Sequence, residues 1–118
     1  MKVEEFASSL FALETDIHIA HLQTDSYAVH MALNTLYQDI VDLRDRFIES
    51  YQGKYGIIKG YKSFTIAEGL KPIQYLNERV TMYTAFRETL KDGYSQQICD
   101  DILELITGTL YKLKFLKY

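Results

Sequence analysis

The chain has 118 residues, 47% of them hydrophobic and 25% charged, with one proline and a formal net charge of −3 at pH 7. That balance describes a single domain that folds by burial, and it argues against a sequence-independent grip on DNA, whose energy comes from Lys and Arg neutralising phosphates. No apolar run approaches the ~18 residues that cross a bilayer, no basic-then-apolar segment opens the chain, and the lone cysteine, Cys99, has no internal disulfide partner, so a cytoplasmic protein is expected.

From about Lys2 to Gln23, the residues Phe6, Leu10, Leu13, Ile17 and Ala20 recur in steps of three and four, which predicts an amphipathic helix. Thr24, Asp25 and Ser26 follow, side chains that compete with helical hydrogen bonds and cap the next helix, so a tight helix-to-helix connection is expected there. A second helix runs from Ser26 to about Gln52 on the stripe Val29, Leu33, Leu36, Ile40, Leu43, Phe47 and Tyr51, with Gly53 as its expected stop. Gly56, Gly60, Gly69 and Pro72 make the next stretch irregular, with a short turn of helix expected near Phe64 to Gly69. Tyr55, Ile57, Ile58, Tyr61 and Phe64 are too apolar for a free tether, so this connection should pack over the bundle or a neighbouring subunit.

Pro72 opens a third helix carrying Ile73, Leu76, Val80, Tyr83, Phe86 and Leu90, which Asp92 and Gly93 should end. A fourth begins near Ser95, carries Ile98, Ile102, Leu105, Leu110, Leu113 and Leu116, and is expected to fray at Tyr118. Two short connections flanking one long one describe an all-α, ferritin-like four-helix bundle of up-down-down-up topology with one crossover.

The candidate chemistry sits in the first half of the chain, where His21, His30, Asp45 and Glu49 have the donor types and spacing of an imidazole and carboxylate metal site. Asp45 and Glu49 are four residues apart, so their carboxylates stack one above the other on a helix. His30 shares their face but lies fifteen residues away, roughly 22 Å at about 1.5 Å per residue, against an imidazole-to-metal bond of ~2 Å. One site holding all of them needs a second chain, with this helix antiparallel to its copy about a two-fold axis. His21 joins through the connection, facing His30 across the hinge.

Each residue alone also has an ordinary structural reading: a histidine on a mixed face, or carboxylates on a solvated face flanked by Arg44 and Arg46. His18, with Glu14 on the same stripe, reads as structural support. Asp100, Asp101 and Glu104 read as a solvated face, since no histidine follows in the Glu-x-x-His pattern of intrachain di-iron bundles. Tyr27 and Tyr37 lie near the proposed site, Cys99 reads as a small core residue, and the lysines clustered at 54–71 and 112–117 read as solubilising.

The stretch HLQTDSYAVHMALNTLYQDIVDLRDRFIESYQG, from His21 to Gly53, resembles the Dps family, the dodecameric miniferritins of the ferritin-like superfamily. In that family a histidine late in the first helix, one early in the second, and an Asp-x-x-x-Glu pair fifteen and nineteen residues after the latter form an inter-subunit iron-oxidising site. His21, His30, Asp45 and Glu49 stand at those positions here. The resemblance implies a homodimer that assembles into a dodecameric shell, with Fe(II) oxidised by dioxygen or peroxide and stored or detoxified as Fe(III). The chain departs from the family with Leu22 where a tryptophan is usual, a histidine spacing about three residues shorter, and no basic extension to condense DNA. It also resembles small ferritin-like proteins of bacteriophages. The competing expectation is a non-catalytic ferritin-like dimer or structural module, in which zinc satisfies the same ligands without redox chemistry.

Overall fold

Helix starts are set by local chemistry. The Glu5 carboxylate accepts the Lys2 backbone N–H at 2.8 Å, Ser26 Oγ accepts the Val29 N–H at 3.3 Å, and Pro72 occupies a first-turn position where no N–H is needed. The computed structural model describes residues 1–117, and among them the chain forms α1 (Val3–Gln23), α2 (Tyr27–Tyr55), α3 (Pro72–Thr89) and α4 (Gly93–Phe115), with no strand. At about 1.5 Å per residue, α2 alone spans roughly 44 Å, and the molecule's longest dimension is 44 Å.

Several boundaries differ from the sequence expectation. α2 continues through Gly53 and stops at Gly56, whose φ of 95° no side-chain-bearing residue adopts readily. A glycine inside a helix costs roughly 1 kcal/mol of propensity, too little to end a helix whose next two residues, Lys54 and Tyr55, are both held by the Asp92 carboxylate. α3 stops at Thr89, and Gly93 begins α4 instead of ending α3. Phe64 to Gly69 forms no helix; the chain only makes a turn at Glu68 and Gly69. The fraying expected at Tyr118 lies outside the described residues.

Side-chain pairings fix the topology. Ser9 meets Tyr83 and Asp16 meets Tyr75, so α1 and α3 run antiparallel. Lys54 meets Asp92 and Arg46 meets Asp101, so α2 and α4 also run antiparallel. The order around the bundle is α1, α2, α4, α3, with α2 and α3 on opposite corners and residues 56–71 crossing between them. The two short connections join neighbours, as short helix-to-helix turns require.

The predicted stripes face the interior. Phe6, Leu10, Leu13 and Ile17 of α1 meet Leu33, Leu36, Ile40 and Phe47 of α2, Leu76 and Tyr83 of α3, and Ile102 and Ile106 of α4 in one apolar cluster. Phe6 anchors one end, stacked on Phe86 at 4.2 Å and edge-on to Phe47 and Tyr83 at 4.9 and 5.1 Å, geometries that add attraction beyond area burial.

The crossover packs on α1 through part of its apolar set: Tyr61 meets the Phe11 ring edge-on at 5.9 Å, and Ala67 and Leu70 lie against the core. Ile58 is buried, whereas Tyr55, Ile57, Tyr61 and Phe64 are exposed. Backbone donors fasten the segment: Lys62 N–H to Ser8 Oγ at 2.8 Å, and Ala67 N–H to Asp16 Oδ1 at 2.9 Å. Among the described residues, no helix is long and apolar enough to cross a membrane.

Candidate functional site

The three-residue connection between α1 and α2 is short enough to place the last turn of one helix against the first turn of the next. Thr24 Oγ1 accepts the Ser26 N–H at 3.2 Å, which tightens the bend before Ser26 caps α2. His21 and His30 consequently face each other, their rings stacked at 3.7 Å with 22° between planes. His21 Nδ1 donates to the His30 carbonyl at 2.7 Å, and His30 Nδ1 donates to the His21 carbonyl at 2.9 Å.

This reciprocal lock has a chemical consequence. A carbonyl oxygen only accepts, so each Nδ1 carries its proton, and in the neutral ring each Nε2 holds the free lone pair. A backbone carbonyl on Nδ1 is also the support that metal-ligating histidines commonly have. His21 is 5% exposed and His30 half-buried. Tyr37 lies 5.1 Å from the His21 ring and stacks on His18 at 4.0 Å, while the exposed Tyr27 lies 6.4 Å from His30. His18 is thus a packing partner of Tyr37, as its structural reading expected.

Asp45 and Glu49 project outward from α2, both exposed. Asp45 is not idle: it accepts from Arg44 Nε at 3.1 Å. Arg44 is the residue that sequence reasoning misjudged, because it is 7% exposed and not part of a solvated face. Its guanidinium bonds Glu14 of α1, lies 4.0 Å over the Phe11 ring and so ties the two helices together. The clue was in the periodicity, since Arg44 falls in register with the core positions Leu33, Ile40 and Phe47. Glu14, on the same stripe as His18, is its counter-ion.

Asp16 was also missed. It interrupts the apolar stripe of α1 between Leu13 and Ile17, is 3% exposed, and accepts from Tyr75 Oη at 2.7 Å and from the Ala67 N–H. Burial, with the Asp16 hydrogen bond second, pushes the Tyr75 phenol far above its ordinary value. Both groups are structural: they pin α3 and the crossover to α1.

Elsewhere, Arg87 grips Asp100 through two hydrogen bonds of 3.0 and 3.2 Å, and Arg46 approaches Asp101 at 3.8 Å. Cys99 is buried in the core and burial pushes its thiol up to about 12. Of the four candidate ligands, one chain brings together only His21 and His30, and among the described residues no three His, Cys, Asp or Glu side chains converge on one point.

The architecture is therefore an all-α, four-helix protein with a hydrogen-bond-locked histidine pair at its first hinge. The chain belongs to a family of unknown function, DUF5856, whose model matches residues 21–113, from the first of those histidines to the last turn of α4. It is also similar to an uncharacterized 14.6 kDa protein in the mobD-ri intergenic region of Enterobacteria phage T4, with 38% identity over 55 residues. That match takes in 47% of this chain and 43% of the phage protein, so the chain spans less than half of that relative's length. No solved structure matches.

Proposed function

We propose that the protein is a ferritin-like, Dps-like iron-binding protein that works as a homodimer, with His21 and His30 of one chain and Asp45 and Glu49 of its two-fold mate holding Fe(II) for oxidation. The observation that carries this reading is the reciprocal Nδ1–H to carbonyl lock, which orients two imidazoles at one hinge and leaves both Nε2 lone pairs available. The order of the helices and the diagonal crossover fit a ferritin-like bundle.

The residues suit the task. Imidazole binds Fe(II), and carboxylates hold both Fe(II) and the harder Fe(III) product, so a mixed set binds the reduced ion and retains it through oxidation. With hydrogen peroxide as oxidant, two Fe(II) ions each give one electron and the peroxide leaves as two hydroxide ions. Dioxygen is the other candidate oxidant. Storage or detoxification of the product needs a shell, with the dodecamer of the resembled family as the expected form.

One observation favours a second reading. Asp45 is already partnered by Arg44, so ligation must compete with a guanidinium, which suits a non-catalytic ferritin-like dimer that holds zinc or no metal. Both readings meet the same experiment: anaerobic loading with Fe(II), exposure to dioxygen or peroxide, and particle mass on the same sample. Oxidation above the protein-free rate, saturating at two sites per dimer, supports the first. His30→Ala and Glu49→Ala should each abolish iron binding at unchanged helicity. Retention of iron by both variants refutes the site, and oxidation no faster than in protein-free buffer leaves the second reading.

A further inference from the structure

At the end of the bundle away from the histidine hinge, the first turn of α1, the last turns of α2 and α3 and the residues leading into α4 surround a cleft of about 440 Å³. Its walls include Lys2, Tyr51, Tyr55, Phe86, Leu90 and Lys91. Phe86 stacks on Phe6 at 4.2 Å in the core, while Tyr51 follows Phe47 at 6.0 Å and meets Tyr55 at 4.6 Å. The aromatic cluster of the interior therefore continues into the wall of the cleft, and a flat aromatic ring is the ligand shape that extends it.

The wall is held in place and its charge is uneven. Tyr55 Oη and Lys54 Nζ both donate to the Asp92 carboxylate, and these hydrogen bonds, Lys54 first, keep that carboxyl below its ordinary value. Asp92 is thus an anion already partnered. Lys2 and Lys91 are exposed, and among the described residues neither ammonium is ion-paired. Glu4 is the other acid of the lining, so the two uncommitted cations outnumber it. The α3 carbonyls at the rim, which would repel an anion, are occupied: Phe86 O accepts from Thr89 Oγ1 at 2.7 Å and Leu90 O from Gln96 Nε2 at 3.0 Å.

We propose that this cleft binds a small planar aromatic ligand bearing one anionic group, its ring on the Tyr51, Tyr55 and Phe86 wall and its carboxylate or phosphate met by the Lys2 and Lys91 ammonium groups. A neutral ring forgoes the two cations, and a bare anion forgoes the wall; only a ligand with both parts uses the whole cleft. Its volume lies within the roughly 300–1,000 Å³ of small-molecule sites. Aromatic carboxylates and nucleoside monophosphates share this chemistry. The cleft lies about 27 Å along α1 from His21, so the inference stands apart from the iron reading.

The test is titration calorimetry of the full chain in chelator with indole acetate and with adenosine monophosphate. Adenosine serves as the ring without the anion, and acetate and inorganic phosphate serve as the anions without the ring. At least one of the two aromatic anions should bind with a Kd below about 1 mM and at least about tenfold more tightly than any of the three comparison compounds. Binding of the monophosphate alone identifies a phosphate ester as the source, and binding of indole acetate alone identifies a carboxylate. Lys2→Glu/Lys91→Glu should weaken that binding by at least about tenfold, and Tyr55→Leu should weaken it at unchanged helicity. Failure of both aromatic anions to bind at millimolar concentration, a comparison compound that binds as tightly as they do, or full affinity in either variant would overturn the inference.

Discussion

Replacing Tyr75 by Phe removes one oxygen from the best-defined polar contact in the interior. In the native protein, Tyr75 Oη donates to Asp16 Oδ2 at 2.7 Å, and Ala67 N–H serves the other carboxylate oxygen. With Asp16 at 3% exposure, water cannot replace the lost donor without a local opening. A hydrogen bond to a charged group is worth about 1.5–3 kcal/mol; because the Ala67 N–H remains, about 2 kcal/mol is the expected loss. An unfolding entropy of roughly 2.1 cal/mol/K per residue over the chain sums to about 250 cal/mol/K, so the melting temperature should fall by about 8 °C.

Tyr83→Phe is the internal control. Tyr83 is the more deeply buried tyrosine, yet its hydroxyl pairs with the neutral Ser9 Oγ at 2.7 Å and not with a carboxylate, so its loss should cost about 1 kcal/mol and about 4 °C. Calorimetry on the two variants checks the order. If Tyr83→Phe costs more than Tyr75→Phe, or Tyr75→Phe costs less than about 2 °C, the charge on the acceptor is not what sets the strength of the contact, and the reasoning fails.

Arg44→Met should destabilise the protein by about 1–2 kcal/mol in urea titrations, below the 3–5 kcal/mol of a fully buried pair, because the carboxylates it abandons remain partly solvated, with side-chain exposures of 32% for Glu14 and 50% for Asp45. The same variant should tighten metal binding if Asp45 is a ligand, since it removes the competing guanidinium; unchanged metal affinity would exclude that role. Gly53→Ala should raise stability by roughly 0.5–1 kcal/mol, as the new Cβ meets no atom within 4 Å in a helix interior, whereas Gly56→Ala should lower it because φ there is 95°. Alkaline stability should decline from about pH 9 upward. Burial raises Cys99 from 9.0 to about 12 and Tyr83 from 10.0 to about 12, so both contributions are complete below the unfolded values and are lost as pH climbs through the interval, when the unfolded chain releases protons that the folded chain keeps. Cys99→Ala should move the onset toward pH 10 in pH-jump unfolding; an unmoved onset would refute the assignment.

The periodic apolar positions determined four helices and the faces they bury, because a stripe at 3.6-residue spacing has few other ways to leave water. The punctuation between Gln23 and Tyr27 likewise determined the first hinge, and through it the meeting of His21 with His30. Helix ends were legible only where a cap or proline enforces them. Gly53 and Gly93 misled because glycine permits a break without requiring one, and packing of the flanking turns decides. Asp16 and Arg44 show the larger gap. In sequence they are charged residues beside apolar ones; in the fold each is buried because its partners, Tyr75 59 residues away and Glu14 30 residues away, arrive from other helices. A charge in a stripe looks like a surface until the tertiary structure supplies what neutralises it, and no local pattern encodes a partner that only the packing of the bundle brings near.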